Sequence, residues 1–527
     1  MNKIELIRQN LHRNRFKSQA STQITLDDDF IVPDTMDDME QIILKSGDVI
    51  LDSVRNQGEK ILIRGKLAFQ VLYRNPEGGL QTMAGTIAIE EPVNVPGLEE
   101  RDEAFVSWEM EDLSAEMINS RKISVKAILT FLVRTEALTD GEAAVEIQNG
   151  ESPDESGESP IQIRKKTLDT AELKGRRKDT ARVRETMTLP GNKPGIEQIL
   201  WKEMTLSGAS AKAMDGELRA EGQISVFCIY EGEGEGTPIQ WMEEVIPFSS
   251  QIELDQASEG MISFTRMRLV HKDLEVKPDA DGEMRELELD AVIELDIRLY
   301  EEAPVELMED LYATDREITL STEELCFDRL LANTVGKCKV TDRMKYDAAE
   351  RILQICRTDG QIKVDQTEIR ENGLEISGVL DVSLLYMTSD DREPIRSASM
   401  MIPFQYVVEV PGIRSDSIWQ LEPGLEQLSA VMSGNDTIEV RAVLNLELLA
   451  FQPIRSQVIT DIQEEPLNLE RLQKLPGITG YIMKEGDSLW NVAKRFHTTV
   501  AHVMEMNDLE NEEIHEGQRL LLVKELH

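Results

Sequence analysis

Histidine is scarce in this chain. Its 527 residues hold six, His12, His271, His497, His502, His515 and His527, and four of these fall near the C-terminal end. No HExxH word, GxSxG elbow or GxxxxGK[ST] phosphate loop is present, so zinc peptidases, serine hydrolases and P-loop NTPases drop out. His497 and His502 lie five apart across a helix start and do not share a face that could chelate. Cysteine is also sparse. Cys228, Cys326, Cys338 and Cys356 form no CxxC pair, which argues against a disulfide framework and a thiolate metal site and predicts buried free thiols. Long apolar runs are missing as well: no stretch approaches the roughly 20 residues of a membrane-spanning helix. Met1 to Ser18 interrupts Ile4, Leu6, Ile7 and Leu11 with basic and polar residues, unlike a secretory signal. The expectation is a protein that stays in the cytoplasm and inserts in no membrane.

Positive charge is in deficit. Against 99 acidic residues stand 57 Lys and Arg, a formal charge of -42, and such a field repels nucleic acid and anionic lipid. The 40% hydrophobic fraction is ordinary for globular protein, and the length predicts several domains with separate cores. Carboxylates are so abundant that counting alone leaves open a glycosidase-like pair drawn from distant strands.

What the chain has instead is internal repetition. The segment Ile63-Arg64-Gly65-Lys66-Leu67-Ala68-Phe69-Gln70-Val71-Leu72-Tyr73 recurs from Ala220 through Gly222 to Tyr230, and again from Ile376 through Gly378 to Tyr386. Glycine precedes tyrosine by eight residues each time, and the glycines recur at spacings of 157 and 156. Upstream landmarks are Glu40-Gln41-Ile42-Ile43, Glu197-Gln198-Ile199-Leu200 and Glu350-Arg351-Ile352-Leu353; downstream, Pro92, Pro247 and Pro403 each open another alternating segment. Ile123 to Leu132, Leu287 to Leu299 and Ile438 to Leu449 also alternate with period two.

The fold class that follows is mainly β: three repeated β-rich domains, each a sandwich or open barrel preceded by one helix. Ser321-Thr322-Glu323-Glu324 reads as a capping box opening such a helix, with Ile4 to Leu11 its counterpart in the first copy. The basic run Arg164 to Arg184 reads as a solvated helix drawn to the acidic remainder of the molecule. Composition divides the chain into copies at 1–138, 163–304 and 305–465, an acidic linker at 139–162 centred on Glu151 to Pro160, a second linker at 466–479, and a small α+β domain at 480–525.

That last domain is specified residue by residue. Tyr481 to Lys484 alternates as a strand. Asp487 or Ser488 caps a helix with Leu489, Val492, Ala493 and Phe496 on one face. Thr499 caps a second helix with Val500, Val503 and Met504, and Asn507 closes it in the left-handed conformation. Arg519 to Val523 forms the second strand, giving the order βααβ. Gly486-Asp487-Ser488-Leu489-Trp490, Val492 to Phe496, Asn507 and Gly517-Gln518-Arg519-Leu520 closely resemble the LysM family. The resemblance implies a shallow groove for N-acetylhexosamine chains between two loops: Gly486, Asp487, Ser488 and Leu489 on one side, Asn507, Asp508, Leu509, Ile514 and His515 on the other. Capping and packing also explain several of these residues. Glu510, Glu512, Glu513 and Glu516 make the second loop acidic and equally suited to a basic protein surface.

The three Gly-to-Tyr strands, paired with this module, resemble the SPOCS-domain proteins of spore-forming clostridia over nearly all of residues 1 to 465. The resemblance implies a structural protein of spore coat assembly, made in the mother cell and recruited to the forespore surface through its LysM module. Its implied partner there is a SpoIVA-like coat basement-layer ATPase; no catalytic role, cofactor or metal belongs to this picture. Peptidoglycan binding by the same groove is the alternative.

Overall fold

The computed structural model describes residues 4–148, 160–234, 239–346, 352–390, 395–434, 436–467 and 477–523. Each copy contributes six strands in two three-stranded antiparallel sheets. In the first copy β1 (Glu5–Ile31), β6 (Lys122–Gln148) and β5 (Glu103–Asn119) pair in the order β1-β6-β5, while β2 (Gln41–Asn56), β3 (Lys60–Arg74) and β4 (Leu80–Asn94) pair as β2-β3-β4. The second copy repeats this with β7 (Ile161–Thr188), β12 (Met284–Ala313) and β11 (Ile262–Pro278) over β8 (Ile196–Met214), β9 (Glu217–Gly232) and β10 (Gln240–Glu253). The third does so with β13 (Arg316–Lys345), β18 (Thr437–Pro466) and β17 (Ile418–Met432) over β14 (Ile352–Arg370), β15 (Gly373–Thr388) and β16 (Ile395–Glu409).

Period-two patterning dictates how the sheets stack. Along β12, Leu287, Leu289, Ala291, Ile293, Leu295, Ile297 and Leu299 are fully buried, and the residues between them are mostly charged. In β9, Leu218, Ala220, Ile224, Val226, Cys228 and Tyr230 form the facing row, with Gly222 in the same series. β3 and β15 repeat that row around Gly65 and Gly378. Each motif glycine lies beside a bulge of the neighbouring strand: between Leu51 and Ser53, Ser207 and Ser210, and Val364 and Gln366. The motif tyrosines are buried, and the Tyr73 hydroxyl donates to the Asp37 carbonyl and to Gln81 Oε1.

The copies share cores. Leu72, Ile229 and Leu385, each one residue before its motif tyrosine, meet in one cluster with Leu200, Trp201 and Cys356. Hydrogen bonds follow the same rotation: the Thr82 hydroxyl donates to the Leu200 carbonyl, and Ser397 Oγ donates to the Ile43 carbonyl at 2.8 Å. The outer strand pairs β1/β6, β7/β12 and β13/β18 run on beyond their sandwiches as two-stranded ribbons. The three ribbons pack together through Ile4, Ala144, Met308, Leu311, Ile459 and Ile462. The molecule is therefore a single-chain pseudo-trimer.

Several expectations are corrected. Glu5 to Leu11 and Ser321 to Glu324 lie in strands β1 and β13, not in helices, and Ile4 just precedes β1. Ile4 and Leu11, an odd spacing apart, are buried in different clusters, Ile4 with Ala144, Met308 and Ile459 and Leu11 with Ala143, Leu307 and Val458, and opposite Ile7 and Arg8 the partner strand β6 bulges at Val145. Arg164 to Arg184 is strand β7; Lys165, Arg176 and Arg182 do take acidic partners, Glu146, Glu103 and Asp290. Pro247 and Pro403 face the residue after the motif glycine, whereas Pro92 faces Leu62, so it does not share their register, and all three lie inside edge strands. Ile42 and Ile199 pair with the motif tyrosines; in the third copy Ile355, not Ile352, does so. Strands β6 and β12 carry their copies on to Gln148 and Ala313, past the ends set at 138 and 304. The acidic stretch 151–159 lies outside the described residues.

None of the four cysteines is in a disulfide; Cys228, Cys338 and Cys356 are buried and Cys326 half-buried. Burial pushes the Cys228 thiol up to about 12 and Cys356 to about 11, which suppresses the reactive thiolate.

Candidate functional site

The C-terminal module is built from β19 (Ile478–Ile482), α1 (Leu489–Phe496), α2 (Val500–Met506) and β20 (Arg519–Val523), in the order expected. The two strands pair antiparallel, Gly480 facing Leu521. Ser488 is the α1 N-cap, its Oγ accepting from Asn491 N at 3.2 Å, and Thr499 caps α2 by accepting from His502 N at 3.0 Å. Of the two cap candidates, Asp487 takes another role: its carboxylate accepts from Lys484 N at 3.0 Å and from the Tyr481 hydroxyl at 2.8 Å. The Lys484 N–H, with Tyr481 behind it, holds this carboxyl below its ordinary range. Gly486 has φ 83°, a left-handed turn that favours glycine. His497, with φ 53°, closes α1.

Asn507 does not close α2 in the left-handed region; its φ is -116°, and Asp508 takes the positive φ of 50° instead. The Asn507 amide braces the module. Its Nδ2 donates to the Val503 and Leu521 carbonyls, both at 2.8 Å, and its Oδ1 accepts from Leu521 N at 2.6 Å. Helix end and strand are thus locked by one side chain. Asn507→Ala is expected to destabilise the module by about 2–3 kcal/mol, because backbone groups lose their partners. Hydrogen exchange at Leu521 and the α2 amides measures that loss.

The two predicted loops emerge side by side. Met483 N donates to the Gln518 carbonyl and Gly517 N to the Met483 carbonyl, both at 2.9 Å, so the turn over 484–488 borders the loop over 507–518. Gly486, Asp508 and His515 are exposed, and Asp487, Ser488, Asn507, Leu509 and Ile514 half-buried. Leu489 is not available to a ligand: it is 1% exposed, in a core with Met483, Val492, Val503 and Leu520. Leu509 and Ile514 pack against that core. Glu510, Glu512, Glu513 and Glu516 are all exposed on the rim.

Elsewhere the described residues offer little chemistry. None of them group as three or more His, Cys, Asp or Glu able to hold a metal ion, and no helix is long and apolar enough to cross a membrane. A cleft of about 520 Å3 between the second and third copies presents Lys212, Met261, Asn333 and Val335 around a single carboxylate, Glu447. Glu109 is pushed up to about 7 by burial and by Glu111. By register its counterparts in the other copies are Arg268 and Gly424, so the repeat does not carry it as a shared acid.

Fold and module together define a repeat-built β protein with a small βααβ module at its C-terminal side. The family model described as SipL, SPOCS domain, matches residues 38–118, 195–277 and 351–433, and that of the LysM domain matches 481–523. The chain is a SPOCS-plus-LysM protein, with three SPOCS domains and one C-terminal LysM domain. No curated protein and no solved structure matches it. The LysM domain supports binding of glycans such as peptidoglycan, and the SPOCS domains point to a sporulation role. The three SPOCS matches span the four inner strands of each copy and stop short of the ribbons β1/β6, β7/β12 and β13/β18.

Proposed function

We propose that the chain is a non-enzymatic scaffold of spore coat or envelope morphogenesis. It works in the mother-cell cytoplasm and is recruited to the forespore surface by LysM binding to a coat basement-layer protein of the SpoIVA kind. The observation that carries this reading is the combination of three SPOCS domains in one pseudo-trimer with a LysM module whose groove loops stay open. Three copies built on one plan give a scaffold repeated surfaces, and the acidic rim over Glu510 to Glu516 suits a basic protein face.

The second reading, glycan capture, rests on the same groove. Asp508 and His515 are exposed loop residues that can be changed without touching the module's core, unlike Leu489 and Leu509. Pull-down from sporulating cells with the full chain, and with Asp508→Ala/His515→Ala, is expected to capture a coat protein only with the parent chain. Saturable binding of chitin oligomers or muropeptides, lost in the same double variant and without a captured coat protein, would decide for the glycan.

A further inference from the structure

The LysM module sits against the end of the β7/β12 ribbon of the second copy. Asp310, 16% exposed at its side chain, accepts from Trp490 Nε1 at 2.7 Å and from Lys494 Nζ at 2.6 Å. The Tyr312 hydroxyl donates to the Thr498 carbonyl at 2.9 Å, and its ring meets the Trp490 indole edge-on at 4.9 Å between centroids. The Arg164 guanidinium lies over the Trp490 ring, 5.4 Å from its centroid. Trp490 is left 8% exposed and Thr498 fully buried.

Pseudo-threefold symmetry offers three such ribbon ends and only one module to fill them. Strand register makes Glu146 and Asp461 the counterparts of Asp310, so an acid stands at all three ends. Tyr312 has Gln148 and Gln463 as counterparts, and Arg164 has Ile7 and Ser321. The aromatic and guanidinium half of the seat therefore belongs to the second copy alone. The acids differ in a second way. Glu146 of the first copy pairs with Lys165 of the second at 3.3 Å, and Asp461 of the third pairs with Arg8 of the first at 3.6 Å. Arg8, Lys165 and Thr322 occupy one register position. The third copy thus has threonine where rotation calls for a cation to meet Asp310, and Lys494 supplies that cation.

We infer that the β7/β12 ribbon end is a dedicated seat for this chain's own LysM module, chosen over the two equivalent ends by Tyr312 and Arg164, with Lys494 completing the ring of ion pairs between copies. Trp490 is then a docking residue and not a ligand contact. Hydrogen bonds made by the groove residues Asp487, Ser488, Asn507 and His515 all stay within the module, so seat and groove are used at once. A partner that fills the groove consequently meets a body held at a fixed orientation.

Hydrogen exchange on the full chain tests the seat. Asp310→Lys is expected to speed exchange roughly tenfold or more across Trp490 to Thr498, as charge-assisted hydrogen bonds are lost. Segments over Ile123 to Val133 and Ile438 to Leu448 should stay protected. Adding Lys494→Asp to that variant restores the ion pair and is expected to recover most of the protection, which a merely misfolded ribbon would not do. Should Asp310→Lys disturb the body as well, Lys494→Ala, on a half-exposed helix position, must still speed exchange at Tyr312 and at the α1 helix. Unchanged exchange at these segments in Lys494→Ala, or failure of the charge swap to restore protection, overturns the inference.

Discussion

Glu136→Ala is expected to lower the stability of the body by about 3–5 kcal/mol, since it strands a buried guanidinium. Arg298 Nη1 donates to Glu136 Oε1 at 2.9 Å and to Gln420 Oε1 at 3.2 Å, which ties the second copy to the first and the third at once. Both members of the ion pair are below a tenth exposed. Arg298 also stacks on the Phe105 ring at 4.3 Å. Burial works against its charge, yet Glu136 and its polar neighbours outweigh that and raise its pKa. Arg134 lies close by, and burial together with Arg266 and Arg298 pushes it down to about 10. Without Glu136 this cluster of cations keeps Asp296 and Glu422, the latter paired to Arg266 at 2.5 Å, as nearby acids. Urea unfolding followed by tryptophan fluorescence reads the loss, and a transition that splits in two would show the copies uncoupling. Arg298→Met with Glu136→Leu is expected to cost less than either single truncation, because removing both charges leaves none unpaired. A double variant as damaged as the single one would deny the pair this role.

The meeting of the copies at their shared cores was written in the sequence in a form easily passed over. Inward rows such as Ile61, Ile63, Leu67, Phe69 and Val71 alternate and announce a sheet with one buried face. At the tyrosine end, however, the alternation stops: Val71-Leu72-Tyr73, Cys228-Ile229-Tyr230 and Leu384-Leu385-Tyr386 are continuous apolar triplets. A strand with both faces apolar is covered on both sides, and here the second cover is the other two copies. The ribbons were less legible, because bulges at Val145, Glu309 and Thr460 shift the phase of β6, β12 and β18, and the adjacent pairs Ala143-Ala144, Leu307-Met308 and Val458-Ile459 beside them are buried together. In the LysM module the local signals were strong: caps, glycine turns and helix faces fall where their residue types place them. Its seat was not legible. Trp490 reads as a core residue of a small domain, and its partners Asp310, Tyr312 and Arg164 lie far from it in sequence, so no local pattern links them.

The motif glycines lead to the second large effect, Gly378→Ala. None of the three needs a left-handed backbone; what excludes a side chain is the close approach of the neighbouring strand at its bulge. A Cβ on Gly378 would stand 2.1 Å from the Lys363 carbonyl oxygen and 3.1 Å from the Phe404 ring, and one on Gly65 would stand 2.3 Å from the Ile50 carbonyl oxygen. Backbone held in a ladder cannot swing aside, so both substitutions are expected to cost about 3 kcal/mol or more. Gly222 differs: its nearest neighbour is the edge of the Phe248 ring at 2.7 Å, a side chain that can tilt, with the Ala209 Cα at 3.2 Å. Gly222→Ala should therefore be the mildest of the three. Gly378→Ala has a further consequence, since any shift of Lys363 disturbs its Nζ, which donates to the Glu111 carbonyl of the first copy and to Asp381, both at 2.9 Å. Thermal unfolding of the three alanine variants should rank Gly378 and Gly65 well below Gly222. Equal losses at all three positions would mean that the motif glycine serves strand twist or folding and not the clearance of a bulge.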